Sequence, residues 1–166
     1  SETVDEMSPA DQKRVRGNLF IGLVVNEYLE DFHRGDFLVR NLVGADQTTG
    51  AVAIGDVVQE GQTVQFHLRD AKSASEDLHL LLAADRARHP NAPLGALVFS
   101  CCGRGQGLFG RPHHDSGVLT ERLGPIPVAG FFAQGEIGQV GGRNFLHGYT
   151  ASMALFAQPT SKAGAQ

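Results

Sequence analysis

The sequence predicts an α+β domain of layered α/β type, with a mostly antiparallel sheet flanked by two or three helices. Three observations lead to this fold class. Short apolar runs bounded by glycine recur along the 166-residue chain. Residues 63–69 alternate polar and apolar side chains with the period of a strand. Only two or three segments carry helix-capping residues or a helical apolar stripe.

The N-terminal quarter predicts one helix and one strand. Ser8 is a favourable N-cap and Pro9 fits the first helical position, so a helix is expected over residues 8–16. Residues 19–25 form an apolar run that predicts a strand. The acidic and mixed residues 26–36 predict a short helix or an ordered loop.

An antiparallel meander is expected next. Strands at residues 37–43 and 51–54 flank a Gly-containing turn, and residues 63–69 form the clearest strand in the chain. This third strand places three apolar side chains on one face: Val64, Phe66 and Leu68. His67 lies on the other face and is interpreted as a sheet-surface histidine rather than a ligand.

The second half of the chain alternates helices and strands. A capping box of Ser73 and Glu76, followed by a leucine stripe, predicts a helix that runs to about residue 88. Residues 94–100 predict a compact strand, and residues 115–123 predict another helix. Two further strands are expected at residues 127–132 and 150–156.

These elements define three regions of the chain. Residues 1–17 are an N-terminal helix and lead-in, residues 18–157 are the domain, and residues 158–166 are expected to be a flexible tail. The first residue is Ser1 rather than methionine, so the chain is interpreted as a processed or truncated fragment. No apolar run approaches the ~18–20 residues of a membrane span, and no secretion leader is recognisable.

Charge and cysteine content exclude several functional classes. The net charge is −4 at pH 7, and no Lys/Arg cluster indicates a nucleic-acid-binding surface. Cys101 and Cys102 are adjacent and are interpreted as free thiols in a reducing compartment, which predicts a cytoplasmic protein. The pair lacks the spacing of a zinc site, and His113 and His114 are interpreted as an exposed loop. No metal or other cofactor is therefore expected.

A first Gly-rich segment covers residues 99–107. Its alternating glycines allow successive N–H groups to converge on an anion, and Arg104 can form a bidentate fork for a carboxylate. Two interpretations stay open, a ligand-binding loop and a tight turn between strand and helix. The segment has no P-loop Lys-Ser/Thr pair and no GxGxxG pattern, so nucleotide binding is disfavoured.

A second Gly-rich segment covers residues 130–148. It contains too many glycines for a regular element and too many aromatic residues for a solvated linker, so it predicts an ordered loop. Glu136 and Arg143 can form an ion pair that orders this loop. Alternatively, Glu136 binds the ammonium group of an amino acid and Arg143 binds its carboxylate.

The two adjacent cysteines allow a catalytic alternative. Cys101 or Cys102 can act as a nucleophile, with His147 or His67 as base and Glu136 as the acid that orients it. Because a cysteine with a distant histidine and acid is common by chance, a non-enzymatic role is expected.

Five stretches of the chain resemble the FIST C-terminal domain. In order they are DFLVRN at residues 36–41, GQTVQFHLRD at 61–70, FSCCGRG at 99–105, GFFAQGEIG at 130–138 and GRNFLHG at 142–148. The resemblance covers residues 18–157. Gln134 departs from the family pattern, in which glycine is more frequent at this position.

The resemblance implies a sensory domain. FIST domains occur in bacterial sensory proteins and in one class of eukaryotic F-box proteins, and they are proposed to sense small ligands such as amino acids. The C-terminal half usually follows an N-terminal FIST half, which is absent from this chain. The resemblance implies no catalytic mechanism.

We therefore expect a non-enzymatic domain of an intracellular signal-transduction protein that binds an amino acid or another small carboxylate. The expected ligand-binding residues are Cys101, Cys102, Gly103, Arg104, Gly105, Gly135, Glu136, Arg143, Asn144 and His147. The expected partners are the small polar ligand, the N-terminal FIST domain and, as an option, a second copy of the chain, with no nucleic acid or membrane. A Cys-dependent enzyme or redox sensor and a protein-interaction module are the alternatives.

Overall fold

The computed structural model describes residues 8, 9, 12, 15, 17–46 and 48–157. Pro9, Gln12 and Val15 are helical, and the other residues of the helix predicted over residues 8–16 lie mostly outside the described set. The tail predicted over residues 158–166 also lies outside it.

Nine strands and three helices are assigned along the described residues. The strands are β1 (Leu19–Val24), β2 (Phe37–Ala45), β3 (Val52–Ile54), β4 (Val64–Leu68), β5 (Gly95–Cys101), β6 (Val128–Ala133), β7 (Glu136–Val140), β8 (Arg143–His147) and β9 (Ala151–Phe156). The helices are α1 (Ala71–Arg88), α2 (Gln106–Phe109) and α3 (His114–Leu123). Antiparallel pairing predominates, and the predicted mixed fold class is confirmed.

The described chain divides into two compact units. The β unit contains the described residues up to Asp70 together with Ile137–Gly148. The α/β unit contains Ala71–Glu136 and the described residues from Tyr149 onward. The second Gly-rich segment, continuous in the sequence, therefore contributes to both units.

The β unit is built on a four-stranded antiparallel sheet with the strand order β3-β2-β1-β4. The inner strand β1 pairs with β2 through Gly22 and Val39 and with β4 through Ile21 and Phe66. The buried centre of the sheet comes from β1 and β2 and contains Phe20, Ile21, Leu23, Val24, Phe37 and Leu38.

The strand predicted over residues 63–69 is present as β4, but His67 is not a sheet-surface residue. Its side chain is half-buried against Phe37, with ring centroids 5.1 Å apart. It also fills the space that a Cβ would occupy at Gly22. Burial lowers the pKa of His67 because it disfavours the charged imidazolium. His67 is thus a packing residue on the inner side of this strand.

The ordered loop predicted over residues 130–148 is instead regular structure. Residues 130–133 belong to β6, and β7 and β8 form a two-stranded hairpin. Gly141 and Gly142 make its two-residue turn with φ angles of 56° and 78°. A type I′ hairpin turn requires positive φ at both positions, which glycine adopts without a steric penalty. The glycine content here therefore marks a tight hairpin.

The α/β unit is built on a three-stranded sheet in the order β6-β5-β9. β5 pairs parallel with β6 and antiparallel with β9. Helices α1 and α3 pack on it and form a core of Leu78, Leu82, Ala96, Val98, Val118, Leu119 and Leu123. Helix α1 begins at Ala71, so Ser73 of the predicted capping box lies inside the helix. The parallel pairing places the carboxyl ends of β5 and β6 side by side.

Candidate functional site

The first Gly-rich segment leaves β5 at Cys101 and turns directly into α2. Cys101 is buried and its Sγ accepts a hydrogen bond from the Gly103 N–H at 3.4 Å, whereas Cys102 is exposed. Both cysteines are free thiols. Arg104 and Gly105 are buried within the turn. The segment is thus a compact connection between a strand and a short helix.

Arg104 binds a carboxylate of the protein itself. Its Nε and Nη2 donate to the two carboxylate oxygens of Asp115 at 2.8 Å each, and both side chains are 7% exposed. The Ser100 hydroxyl donates to Asp115 Oδ2 at 2.6 Å. The expectation that the Arg104 fork binds a ligand carboxylate is corrected, because Asp115 already occupies that fork.

Asp115 is charged at neutral pH despite its burial. Burial alone would raise the pKa of Asp115, but hydrogen bonds from Arg104 and Ser100 and the charge of Arg104 outweigh it. Together they lower the pKa from 3.8 to about 2. The negative charge of Asp115 is balanced by Arg104, so this buried network carries no net charge of its own.

A cleft of about 530 Å³ lies beside this network and runs along β6, from Val128 at its start to Phe132 near its end. Its apolar lining includes Val98, Pro112, Val128, Phe131 and Phe132. Its polar lining includes Ser100, Gln106, His113, Asp115 and Ser116. Phe131 and Phe132 are 64% and 61% exposed, and as consecutive residues of β6 they point to opposite faces of the sheet.

Gly130 allows the two parallel strands to approach each other beside the cleft. A Cβ at this position would collide with the Val98 carbonyl in β5. Next along β6, the Phe131 ring packs edge-to-face with Phe99, with centroids 5.1 Å apart. The backbone approach and this ring pair hold Phe131 in place, whereas the Phe132 ring lies against Gly105 on the other face of β6.

His114 connects the Asp115 network to α1. Its Nδ1 lies 3.0 Å from Asp115 Oδ1 and its Nε2 lies 3.0 Å from Ser75 Oγ. Ser75, His114 and Asp115 are thus arranged in the order of the nucleophile, base and acid of a serine-type catalytic triad. However, His114 is 4% exposed and stacks on Phe109 at a centroid distance of 3.4 Å. Ser75 is not part of the cleft lining. The trio therefore joins α1 to α3, and the expectation that His114 lies in an exposed loop is wrong.

Glu136 is a second buried carboxylate of the α/β unit and is 3% exposed. Its Oε2 accepts hydrogen bonds from the Thr150 hydroxyl at 2.9 Å and from the Thr150 N–H at 3.4 Å. Its Oε1 has no hydrogen-bond partner among the described residues. Gly135 precedes it and is half-buried. Neither residue lines the cleft.

The other predicted site residues lie on β8 in the β unit. Arg143 lies over the Phe145 ring at 5.7 Å, and Asn144 is exposed. The His147 Nε2 lies 3.0 Å from the Gly138 carbonyl across the hairpin. The predicted residues are thus divided between two units, and among them only Gly105 lines the cleft of the α/β unit.

The residues that shape this cleft were mostly missed at the level of sequence. The sequence predicts Asp115 only as part of the helix over residues 115–123, and Phe131 and Phe132 only as part of the strand over residues 127–132 and of the ordered loop that begins at residue 130. A usable signal was the presence of Arg104 and Asp115, eleven positions apart in a stretch with few other charges. No group of three His, Cys, Asp or Glu side chains within the described ranges is suited to a metal ion. In the same ranges, no helix is both long and apolar enough to cross a membrane.

Comparison with known proteins identifies the family. The FIST C domain model matches residues 2–139. The chain is 53% identical over 155 residues to the uncharacterized protein Rv0628c of Mycobacterium tuberculosis, covering 93% of this chain and 40% of that protein. The uncharacterized protein Mb0898c of Mycobacterium bovis is 51% identical over the same shares of the two chains.

A plant protein matches over a shorter range. The F-box/LRR-repeat protein At5g63520 of Arabidopsis thaliana is 30% identical over 140 residues, which cover 75% of this chain and 26% of that protein. The chain thus spans about 40% of the length of its mycobacterial relatives. It belongs to the FIST C domain family, a family of sensory domains in signal transduction.

Proposed function

We propose that this domain binds a small ligand in the cleft of the α/β unit and that this binding is the sensory event. The observation that carries the proposal is the cleft of about 530 Å³ with apolar walls and a few polar groups. Sites for small molecules usually measure ~300–1,000 Å³ and have this mixed lining.

The ligand that we propose is an amino acid or another small carboxylate with a flat apolar part. Phe131 and Phe132 offer ring faces for the apolar part. A carboxylate is expected near His113 and the first turn of α3, where the backbone N–H groups give a partial positive charge. Asp115 in that turn does not oppose an anion strongly, because Arg104 neutralises it. Aromatic amino acids and small aromatic acids are therefore the first candidate ligands.

We propose a non-enzymatic role for the same region. His114, which contacts Ser75, belongs to the cleft lining but is 4% exposed and stacks on Phe109, and Ser75 itself does not line the cleft. Among the described residues, no hydrogen bond joins the sulfur of Cys101 or Cys102 to a histidine. These features support binding over Cys-dependent catalysis. A cysteine-labelling rate that is unchanged in His67 and His147 variants is expected.

We also propose that an N-terminal FIST half completes the signalling protein. The support is the length of the mycobacterial relatives, of which this chain covers 40%. A cytoplasmic location is part of the proposal, and the two free cysteines fit a reducing compartment.

The proposal is tested by thermal-shift screening of the chain against the amino acids and a panel of small aromatic acids. A ligand present at about 100 times its Kd should stabilise the folded state by about 2.7 kcal/mol. Each acid is paired with its amide, so that loss of the shift with the amide reports a bound carboxylate. Hits are confirmed by calorimetry.

Variants locate the binding site. Phe131→Ala and Phe132→Ala are expected to weaken binding about tenfold or more, since each removes from the cleft lining an aromatic ring worth over 1 kcal/mol. Phe156→Ala is the matched control, because Phe156 is a 51% exposed phenylalanine of the same unit outside the cleft lining. Absence of any stabilising ligand, or equal losses in all three variants, would contradict the proposal.

A further inference from the structure

The cleft of the α/β unit contains the outer edge of strand β6, which pairs with β5 only. The carbonyls of Pro127 and Ala133 accept hydrogen bonds from the N–H groups of β5 and of the residue after it. The register between the two strands has no shift. Since backbone groups alternate in direction along a strand, those of the odd-numbered residues face β5. The N–H and carbonyl groups that point away from β5 belong to Val128, Gly130 and Phe132.

Gly130 gives independent evidence for this direction. A Cβ at this position would be directed at the Val98 carbonyl of β5, so the backbone N–H and carbonyl of Gly130 point the other way. Within the described ranges, no further strand pairs with the outward groups of β6, and no backbone hydrogen bond from another segment reaches them. All three outward residues line the cleft. A row of backbone donors and acceptors therefore runs along a cleft with mainly apolar walls.

An extended peptide matches this row better than a single amino acid does. A ligand that covers polar backbone groups without pairing them loses free energy. The edge from Val128 to Phe132 is about 13 Å long, which about three or four residues of an extended chain span. Phe131 and Phe132 lie on opposite faces of β6, and both line the cleft. Successive side chains of a peptide also alternate between faces, so one peptide along this edge can contact both rings.

We propose that the ligand of this cleft is a short peptide that adds to β6 as a further strand, with an aromatic residue at its C-terminus. The inference rests on the proposed function, because it names the ligand class of that same cleft. Main-chain hydrogen bonds to a sheet edge supply affinity in such complexes, and the alternate side chains supply specificity.

The position of α3 gives the direction of the peptide. Ser100 is paired with Phe132 in the register of the sheet and donates to Asp115 in the first turn of α3. The start of α3 therefore lies at the Phe132 end of the cleft. This is where the ligand carboxylate is expected, because the first turn has a partial positive charge. A peptide with its C-terminus at this end runs parallel to β6.

Calorimetry with the tripeptide Ala-Val-Phe and with free phenylalanine tests the ligand class. The tripeptide should bind about tenfold or more tightly, because it adds main-chain hydrogen bonds. Its two amide N–H groups are then methylated one at a time. In an added strand one of them bonds β6 and the next points away. One methylated peptide should therefore bind about tenfold more weakly, and the other should bind within about twofold of the parent.

The outcomes separate this inference from the proposed function. If phenylalanine or another aromatic acid binds but the tripeptide binds no more tightly, the peptide is overturned and the proposed function stands. Equal losses in the two methylated peptides would also overturn the strand pairing. If neither the aromatic acids nor the tripeptide bind, both proposals fail.

A variant of β6 tests the same pairing from the protein side. Val128→Pro removes an outward N–H and no hydrogen bond to β5, so it should weaken tripeptide binding about fivefold and leave phenylalanine binding nearly unchanged. Ala151→Pro is the matched control. The carbonyls of Thr150 and Phe156 bond the β5 side of the sheet, so the Ala151 N–H also points outward, but on β9 and outside the cleft lining. Circular dichroism confirms that both variants fold. Equal loss of tripeptide binding in the two variants, or no loss in Val128→Pro, would contradict the proposal.

Discussion

An arginine–aspartate pair lies in each unit of the chain, and these two pairs differ in burial. In the α/β unit, Arg104 holds Asp115 at 2.8 Å with both side chains 7% exposed. In the β unit, Arg40 holds Asp56 at 2.7 Å with side chains 17% and 33% exposed. Water can replace a lost partner in the exposed pair but not in the buried pair. Similar contacts therefore have different consequences for stability and for pH dependence.

The largest difference is expected when one partner is removed. Asp115→Ala leaves the Arg104 guanidinium buried without a counter-charge, which typically costs ~3–5 kcal/mol of folding free energy. Urea denaturation followed by circular dichroism measures this loss. The double variant Arg104→Met/Asp115→Leu removes both charges and should recover most of the stability, since an apolar pair of similar volume needs no desolvation of ions.

The outcome of this comparison also decides what the network does. If Asp115→Ala and the double variant are equally unstable, the loss comes from packing and not from an uncompensated charge. If Asp115→Ala loses less than about 1 kcal/mol, the pair behaves as a surface pair and the contrast between the units fails.

The second difference is in acid sensitivity. The pKa of Asp115 is about 2 in the folded chain, below its ordinary value of 3.8. The folded state therefore binds the proton less readily than the unfolded state. The stability that Asp115 contributes is present above pH 3.8 and is lost as the pH falls through about 2. The shift corresponds to about 2 kcal/mol.

Comparison with the double variant isolates this contribution from the other carboxyl groups. The unfolding free energy of the natural chain minus that of Arg104→Met/Asp115→Leu should shrink by about 2 kcal/mol, mostly between pH 4 and pH 2. A difference that stays constant over this range would show that Asp115 titrates alike in the folded and unfolded states.

The sequence predicted the fold better than the site, for physical reasons. Strand periodicity is a local property, so the alternation over residues 63–69 located β4 correctly. Which face of β4 becomes buried depends instead on residues distant in the sequence. Phe37 in β2 covers His67, and Gly22 in β1 leaves room for its ring. The structural role of a glycine is ambiguous in the sequence for a similar reason. Gly130 permits a backbone approach to Val98, and that partner is distant in the sequence.

The site residues illustrate the same limit. A free arginine in a Gly-rich turn predicts an anion site, and Arg104 has the geometry for one. Its acceptor, however, is Asp115 in α3 of the same unit, a pairing that depends on how α3 docks. The positions of Phe131 and Phe132 beside Phe99 and Ser100 follow from the parallel pairing of β5 and β6. Local patterns do not specify that pairing.

The smallest effect is expected in the exposed pair. Hydrogen bonding by Arg40 is the main cause that lowers the pKa of Asp56, with a further contribution from the Val57 N–H. Asp56→Asn retains a hydrogen-bond acceptor for Arg40, which also donates to the Leu146 carbonyl at 2.9 Å. The substitution should lower the free energy of unfolding by less than about 1 kcal/mol, and 1 M salt should reduce this loss further because it screens the two charges. Urea denaturation at low and high salt measures both effects. A loss of folding free energy above about 2 kcal/mol that does not change with salt would show that Asp56 behaves like the buried Asp115. The difference in burial would then not explain the difference between the two pairs.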